Sequence, residues 1–157
     1  MARTPVVLCV DDGPILLAGR QRLLEQDGYT VLTARNGREA VEVLISNPVD
    51  LVLLDYYMPE ANGDWVARRM KAHKPDVPIA LLSGDDCLPS STPESADVFI
   101  SKSEPIVSFL EQVDHLVSLR LLFQPLEILE LEDFRAQSSQ QTNQSNRVAS
   151  ARRKSAS

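Results

Sequence analysis

The chain has 157 residues, which is enough for one domain of ordinary size and an appendage. Its apolar content of 43% and charged content of 24% are typical of globular proteins, and no apolar run is long enough to predict a membrane span. Residues 1–134 contain 22 acidic and 11 basic residues, a net charge of −11, whereas residues 135–157 contain five basic residues and no acidic ones. The strong negative charge of residues 1–134 argues against a nucleic-acid-binding domain in this part of the chain.

The two cysteines, Cys9 and Cys87, are far apart and match no metal-ligand spacing. Cys9 lies in an apolar run, so we predict that it is a small core residue. Residues 1–5 are too few and too weakly basic to begin a secretory signal. Together these features predict a reduced, cytoplasmic protein without a membrane segment.

Short apolar runs alternate with segments of helical pattern. The predicted strands are 6–10, 29–34, 51–54, 79–82 and 98–100, and the predicted helices are 15–26, 38–46, 64–73 and 106–123. Apolar runs without a polar break indicate strands that are buried on both faces, as in parallel sheets covered by helices. The alternation predicts an α/β fold, a doubly wound five-stranded parallel sheet in a three-layer sandwich. Asp12 is a candidate N-cap of the first helix, and Asp27-Gly28 should end it.

Polar side chains follow four of these strands. Asp11 and Asp12 follow the first, Asp55 the third, Ser83 the fourth and Lys102 the fifth. Because the carboxyl ends of parallel strands meet at one edge of a sheet, these side chains are expected to lie together. Two adjacent carboxylates repel each other unless a cation lies between them, and Mg²⁺ prefers oxygen ligands of this kind.

A carboxylate at such a site can act as a nucleophile toward phosphorus, and an amine and a hydroxyl can neutralise charge on the phosphoryl oxygens. Taken alone, Asp11-Asp12 would more often be a helix cap than a metal site. Because Asp55 and Lys102 follow other strands at matching positions, the metal site is favoured over a helix cap. His73 and His115 are predicted to be surface residues, and Trp65 a partly exposed packing residue.

In type, order and strand-end position, these residues resemble the receiver domain of two-component response regulators over about residues 5–122. By that resemblance Asp55, followed by Met58-Pro59, is the phosphoacceptor. The resemblance makes Lys102 the lysine that pairs with the phosphate and Ser83 the switch hydroxyl.

The same resemblance implies that Asp11, Asp12 and Asp55 bind Mg²⁺, with the backbone carbonyl of Tyr57 as a further ligand. Phe99 falls where the family has a switch aromatic. The implied fold is a flavodoxin-like (βα)5 sandwich with strand order 2-1-3-4-5. The implied function is to take a phosphoryl group from a sensor histidine kinase or a histidine phosphotransfer protein, and to signal to an unknown protein target by contact.

Two features depart from the family pattern. Lys102 is followed by Ser103, where a proline is usual, so we do not expect a cis peptide at this point. Residues 85–96 occupy the place of the fourth helix but contain Pro89 and Pro93, which cannot both lie inside one regular helix. We therefore predict that the fourth helix is degenerate.

Three segments are predicted: a receiver domain at 1–122, an apolar extension at 123–134 and a disordered basic tail at 135–157. The extension either packs back onto the domain or forms a homodimer or partner interface, and the sequence leaves both open. No DNA-binding or separate enzymatic domain is expected after residue 122.

Two other classes of function remain as alternatives. One is a phosphate-independent scaffold that keeps the receiver fold and binds through residues 85–96 and 119–134. The other is a phosphatase of the haloacid dehalogenase type, whose Asp-x-Asp nucleophile motif should follow the first strand. Asp11-Asp12-Gly13-Pro14 does not match that motif.

Overall fold

The computed structural model describes residues 3–84 and 94–123. Within these ranges the elements in chain order are β1 (Val6–Val10), α1 (Pro14–Gln26), β2 (Thr30–Ala34), α2 (Gly37–Ser46), β3 (Leu51–Asp55), α3 (Gly63–His73), β4 (Ile79–Ser83), β5 (Val98–Ser101) and α4 (Ile106–Leu122). Each predicted strand and helix is present, with its ends within one residue of the prediction. None of the described helices is both long enough and apolar enough to cross a membrane.

The strands form one parallel sheet in the order β2-β1-β3-β4-β5, which confirms the predicted fold class and strand order. The register pairs Val10 with Leu54 across β1 and β3, and Ser83 with Ser101 across β4 and β5. The strands therefore end close to the same level. The residues that follow them are brought to one edge of the sheet.

Helices cover both faces of the sheet, because the central strands are apolar on both sides. One core layer contains residues of α2 and α3, including Leu44 and Met70, packed against the sheet. The other contains residues of α1 and α4, including Leu24 and Val113. Cys9 belongs to this second layer and is fully buried, which confirms its prediction as a core residue.

Side chains cap two of the helices. Asn36 accepts a hydrogen bond from the backbone N–H of Glu39 at the start of α2, and Asn62 accepts one from Trp65 at the start of α3. The prediction that Asp12 caps α1 is wrong, because the N-cap is Gly13 and it makes no side-chain capping bond. Pro14 already lacks one of the N–H groups that a cap would satisfy, and Asp12 points to solvent instead.

Some predictions concern residues outside the described ranges. The degenerate fourth helix was predicted for 85–96, of which only Glu94, Ser95 and Ala96 are described, and none of these three is helical. The described helices number four, consistent with a degenerate fourth helix of the usual five. The extension and the basic tail lie outside the described residues, apart from Phe123. Within the described ranges no peptide bond is cis, so Lys102 and Ser103 are joined by a trans peptide.

Candidate functional site

Asp55 is the last residue of β3, the central strand of the sheet. Neighbouring strands flank β3 on both sides and helices cover it, so the residue is only 4% exposed. Its Oδ1 accepts a hydrogen bond of 3.3 Å from the backbone N–H of Tyr57. The side chain is therefore held at the end of a rigid strand and faces the carboxyl edge of the sheet.

Asp11 lies beside Asp55, because it follows Val10 and the register places Val10 next to Leu54. It is 1% exposed, and its Oδ1 accepts a hydrogen bond of 2.9 Å from the N–H of Gly13. Its backbone N–H donates to the carbonyl of Ala34 at the end of β2. The sheet therefore holds the backbone of both acids, and an N–H group of the loop that follows each strand holds one carboxylate oxygen of each.

The side chain of Lys102 lies between the two acids. Its Nζ is 3.0 Å from Oδ2 of Asp55 and 3.6 Å from Oδ2 of Asp11. The backbone of Lys102 is held as well, since its N–H donates a 2.7 Å hydrogen bond to the carbonyl of Ser83. The backbone that carries the amine is therefore fixed at the paired ends of β4 and β5. The positive charge of the amine offsets part of the negative charge of Asp11 and Asp55.

Asp12 completes a group of three acids. One carboxylate oxygen from each of Asp11, Asp12 and Asp55 lies within 4.8 Å of the others. Two of these side chains are buried and Asp12 is exposed, so the group opens to solvent on one side. Hard oxygen donors in this number, with room for water, suit Mg²⁺. The residues present therefore fit the metal that the sequence predicts.

The pKa of Asp55 is raised above its ordinary value. Burial is the main cause, because it removes water from the ionised carboxylate. The hydrogen bond and the charge of Lys102 lower the pKa, whereas the charge of Asp11 raises it, and the N–H of Tyr57 lowers it slightly. Burial outweighs the favourable contacts, so the ionised form of Asp55 is held in the protein at a net cost.

Ser83 is the last residue of β4, and Phe99 lies in β5. Ser83 is 3% exposed, and it follows Leu82, the residue paired with Asp55 in the register of β3 and β4. Phe99 is partly buried against the core layer of α2 and α3, and its ring meets the ring of Tyr56 at an angle of 60° with centroids 5.9 Å apart. The aromatic ring is therefore connected to the residue that directly follows Asp55.

A glycine fixes the distance between α3 and the site. The N–H of Gly63 donates a 2.8 Å hydrogen bond to the carbonyl of Tyr56. A Cβ atom at position 63 would lie 2.8 Å from the carbonyl oxygen of Asp55 and 2.9 Å from the Cα of Tyr56, which is closer than real Cβ atoms approach. Only glycine fits at this point without moving the backbone that carries Asp55.

One residue of the site was not predicted. Nη1 of Arg20, in α1, lies 3.3 Å from Oδ2 of Asp11, and the Arg20 side chain is only 12% exposed. The sequence carries a signal that could have identified it, because Arg20 is three residues after Leu17 and four before Leu24, both of which face the core. A cation on the buried face of a helix needs a partner.

Comparison with known families agrees with this geometry. The family model of the response regulator receiver domain matches residues 7–114, which is more than half of the chain. The chain belongs to the response regulator receiver family. As a receiver domain it is a module of two-component signalling.

Two curated proteins illustrate where such receiver domains occur. The receiver is 45% identical over 83 residues to the autoinducer 1 sensor kinase/phosphatase LuxN of Vibrio campbellii, covering 53% of this chain and 10% of LuxN. It is 39% identical over 77 residues to the response regulator SaeR of Staphylococcus aureus, covering 49% of this chain and 33% of SaeR. The chain thus spans only a small part of either relative.

Solved structures match the receiver over nearly their whole length. The response regulator protein TrrA of Thermotoga maritima, in complex with Mg²⁺ and BeF, is 33% identical with a TM-score of 0.67, over 72% of this chain and 99% of TrrA. A receiver domain from Clostridium thermocellum is 25% identical with a TM-score of 0.71, over 76% of this chain and 99% of that one.

Proposed function

We propose that this receiver domain accepts a phosphoryl group on Asp55 from a phosphohistidine of a sensor kinase or a phosphotransfer protein. The observation that carries the proposal is the contact of 3.0 Å between Lys102 Nζ and Asp55 Oδ2 at the mouth of an acidic group. In the transfer an oxygen of Asp55 forms a bond to phosphorus, the nitrogen–phosphorus bond of the donor breaks, and the imidazole leaves with the electron pair.

Charge on the transferred group must be neutralised for this reaction. We assign to Lys102 the pairing with a phosphoryl oxygen, because its amine already contacts the carboxylate that would carry the group. We assign the metal-ligand role to Asp11, Asp12, Asp55 and the backbone carbonyl of Tyr57. A Mg²⁺ ion held by these residues would supply positive charge to the phosphoryl oxygens.

We assign the switch to Ser83 and Phe99. Ser83 is buried and directly follows Leu82, the register partner of Asp55, so we expect its hydroxyl to approach a phosphoryl oxygen on Asp55. Phe99 touches the ring of Tyr56, and we infer that a change in the segment after Asp55 is passed through this contact to β5. The output we propose is a contact with a downstream protein in the cytoplasm, and the proposal includes no enzymatic output activity.

A surface for the phosphodonor protein lies next to the site. Ile15 and Leu16 of α1 are 85% and 59% exposed, and Ile106 of α4 is 60% exposed. These residues line a groove of about 310 Å³ that also includes Lys102 and Phe109. Exposed apolar side chains in one patch are typical of protein interfaces. The name of LuxN, a sensor kinase, is consistent with a histidine kinase as the partner.

The end of α4 supports a second contact surface. Leu122 and Phe123 are 77% and 79% exposed, which is unusual for large apolar residues at the end of a helix. We propose that the receiver domain ends at residue 122, and that the apolar segment 123–134 forms an interface with a second copy or a partner. A monomer at high concentration in sedimentation would count against a homodimer.

The phosphoacceptor role is tested by intact-mass analysis after incubation with acetyl phosphate and Mg²⁺. We expect one phosphoryl adduct on the wild type and none on Asp55→Asn. Asp76→Asn, which removes an exposed carboxylate far along the chain, serves as the control and should be labelled like the wild type. Labelling that persists in Asp55→Asn would overturn the assignment.

A further inference from the structure

Arg20 occupies a position where the helix pattern favours an apolar residue. It lies between Leu17 and Leu24 on the buried face of α1, and only 12% of its side chain is exposed. The neighbouring groove is lined by apolar groups such as Leu16 and Leu23. A guanidinium in such surroundings is stable only when a carboxylate or another acceptor pairs with it.

The partner of Arg20 is Asp11. Nη1 of Arg20 lies 3.3 Å from Oδ2 of Asp11, and Lys102 approaches the same oxygen at 3.6 Å. The other oxygen of Asp11 accepts the N–H of Gly13. Both oxygens of this acid are therefore engaged by groups of the chain itself. A metal ion that binds Asp11 has to share an oxygen with these groups or displace one of them.

We propose that Arg20 is a built-in counter-ion that competes with the divalent cation for Asp11 and so sets the Mg²⁺ concentration at which the site fills. The inference rests on the metal-dependent phosphoacceptor role proposed above. With Arg20 and Lys102 present, three carboxylates face two cations, and the site carries one net negative charge. Without Arg20 it would carry two, and the attraction for a divalent cation would be stronger.

Arg20→Met tests this competition without removing a metal ligand. Asp11 keeps the N–H of Gly13 and the amine of Lys102 in this variant, so its buried charge still has partners. Methionine has a flexible apolar side chain of comparable length and is compatible with the groove beside Leu16 and Leu23. The matched control is Arg22→Met, which removes the same charge from an exposed position of α1.

The experiment is a titration of the full chain with MgCl₂, at constant pH and ionic strength and without a phosphodonor, followed by ¹H–¹⁵N NMR. We expect Arg20→Met to bind Mg²⁺ about three- to tenfold more tightly than the wild type, whereas Arg22→Met stays within about twofold. The proposal is overturned if Arg20→Met binds Mg²⁺ as weakly as the wild type or more weakly. It is also overturned if neither the wild type nor Arg20→Met binds Mg²⁺. An equal gain in Arg22→Met also overturns it, because the effect would then be one of net charge.

A second measurement uses the unmodified chain, so it does not depend on the folding of a variant. The Nε–H resonance of Arg20 should shift with the same midpoint as the resonances of Asp11 and Asp12 when Mg²⁺ is added. An Arg20 resonance that stays constant while the site fills overturns the proposal. Absence of acetyl phosphate labelling, by contrast, refutes the phosphoacceptor role and leaves the result of these metal titrations unaffected.

Discussion

Burial and the contact with Lys102 have opposite effects on the pKa of Asp55. Asp55 lies at the end of a buried strand, and burial raises its pKa more strongly than the amine of Lys102 lowers it. The ionised carboxylate that the proposed chemistry needs is therefore maintained at the expense of stability. Ionisable groups whose pKa is shifted by burial and by a charged neighbour are common at functional sites.

The cost of this charge predicts an effect of Asp55→Asn on stability. A carboxyl group whose pKa is raised by folding destabilises the native state at neutral pH, and that penalty disappears as the pH falls through the raised pKa toward the ordinary value. In the absence of metal we therefore expect Asp55→Asn to unfold at a higher denaturant concentration than the wild type at pH 7. The difference should shrink as the pH approaches 4.

Urea unfolding in EDTA at several pH values measures this difference. Asp76→Asn, which removes an exposed carboxylate, should give no comparable gain. If Asp55→Asn is less stable than the wild type at pH 7, the contact with Lys102 outweighs burial and our explanation of the raised pKa is wrong.

The residues of the candidate site were largely predictable, because they directly follow apolar runs. Asp11, Asp55 and Lys102 come together since parallel strands end at one edge. Arg20 was not predicted, because the sequence shows its place on the buried face of a helix but not which strand end lies opposite. Its partner depends on how α1 packs on the sheet, which is a property of the tertiary structure.

Among the elements, α3 depends most on a single residue for its position. Gly63 begins this helix and lies against the backbone of Asp55 and Tyr56, so a methyl group there has no space. The start of α3 and the end of β3 are therefore fixed together. A change that moves the helix also moves Asp55, the proposed phosphoacceptor.

Two substitutions of glycine by alanine should have opposite effects on the free energy of unfolding. Gly63→Ala is expected to lower the free energy of unfolding by roughly 1–3 kcal/mol, because the backbone must shift to admit the methyl group. Gly19→Ala is the control, since position 19 is an exposed site of α1 with no atom within 4 Å of an added Cβ. It should raise stability by roughly 0.5–1 kcal/mol through helix propensity.

Both values can be measured by urea unfolding monitored by circular dichroism. Gly63→Ala should also lower the rate of labelling by acetyl phosphate, since Asp55 would be displaced. A Gly63→Ala protein as stable as the wild type would show that α3 can move away without cost, contrary to the close contact in the structure.

Element types were easier to predict than the details of their ends. Uninterrupted apolar runs such as 51–54 predict buried strands. A strand that helices cover on both faces has apolar residues at successive positions, with no alternation of apolar and polar residues. The cap of α1 was assigned to Asp12 and is Gly13 instead. Asp12 is two residues before Pro14, with Gly13 between them, and the side chain of the neighbouring Asp11 already accepts the N–H of Gly13.

At the scale of the whole molecule, Cys9 reports on global unfolding. It is fully buried in β1, inside the sheet and under α1 and α4, and burial raises the pKa of its thiol to about 12. Neither the reactive thiolate nor an approach path for a reagent exists while the sheet is intact. Reaction of Cys9 therefore requires that the domain opens.

In a Cys87→Ser background we expect Cys9 to react with a thiol reagent at pH 8 more than about a thousandfold more slowly in the native protein than in denaturant. Added Mg²⁺ should slow the reaction further, because a ligand that binds only the folded state stabilises it. Rapid reaction in native buffer would mean that β1 opens locally, and that the sheet is not one cooperative unit.

The order of the strands along the chain also determines when the site becomes complete during synthesis. The chain leaves the ribosome from its amino end, so Asp11, Arg20 and Asp55 are all available before Lys102, which follows the last strand. A nascent chain that has paired β1 with β3 thus holds two neighbouring carboxylates before Lys102 is synthesised. During that interval Arg20 is the cation that offsets the charge of Asp11, and we expect it to ease the cotranslational assembly of the first three strands.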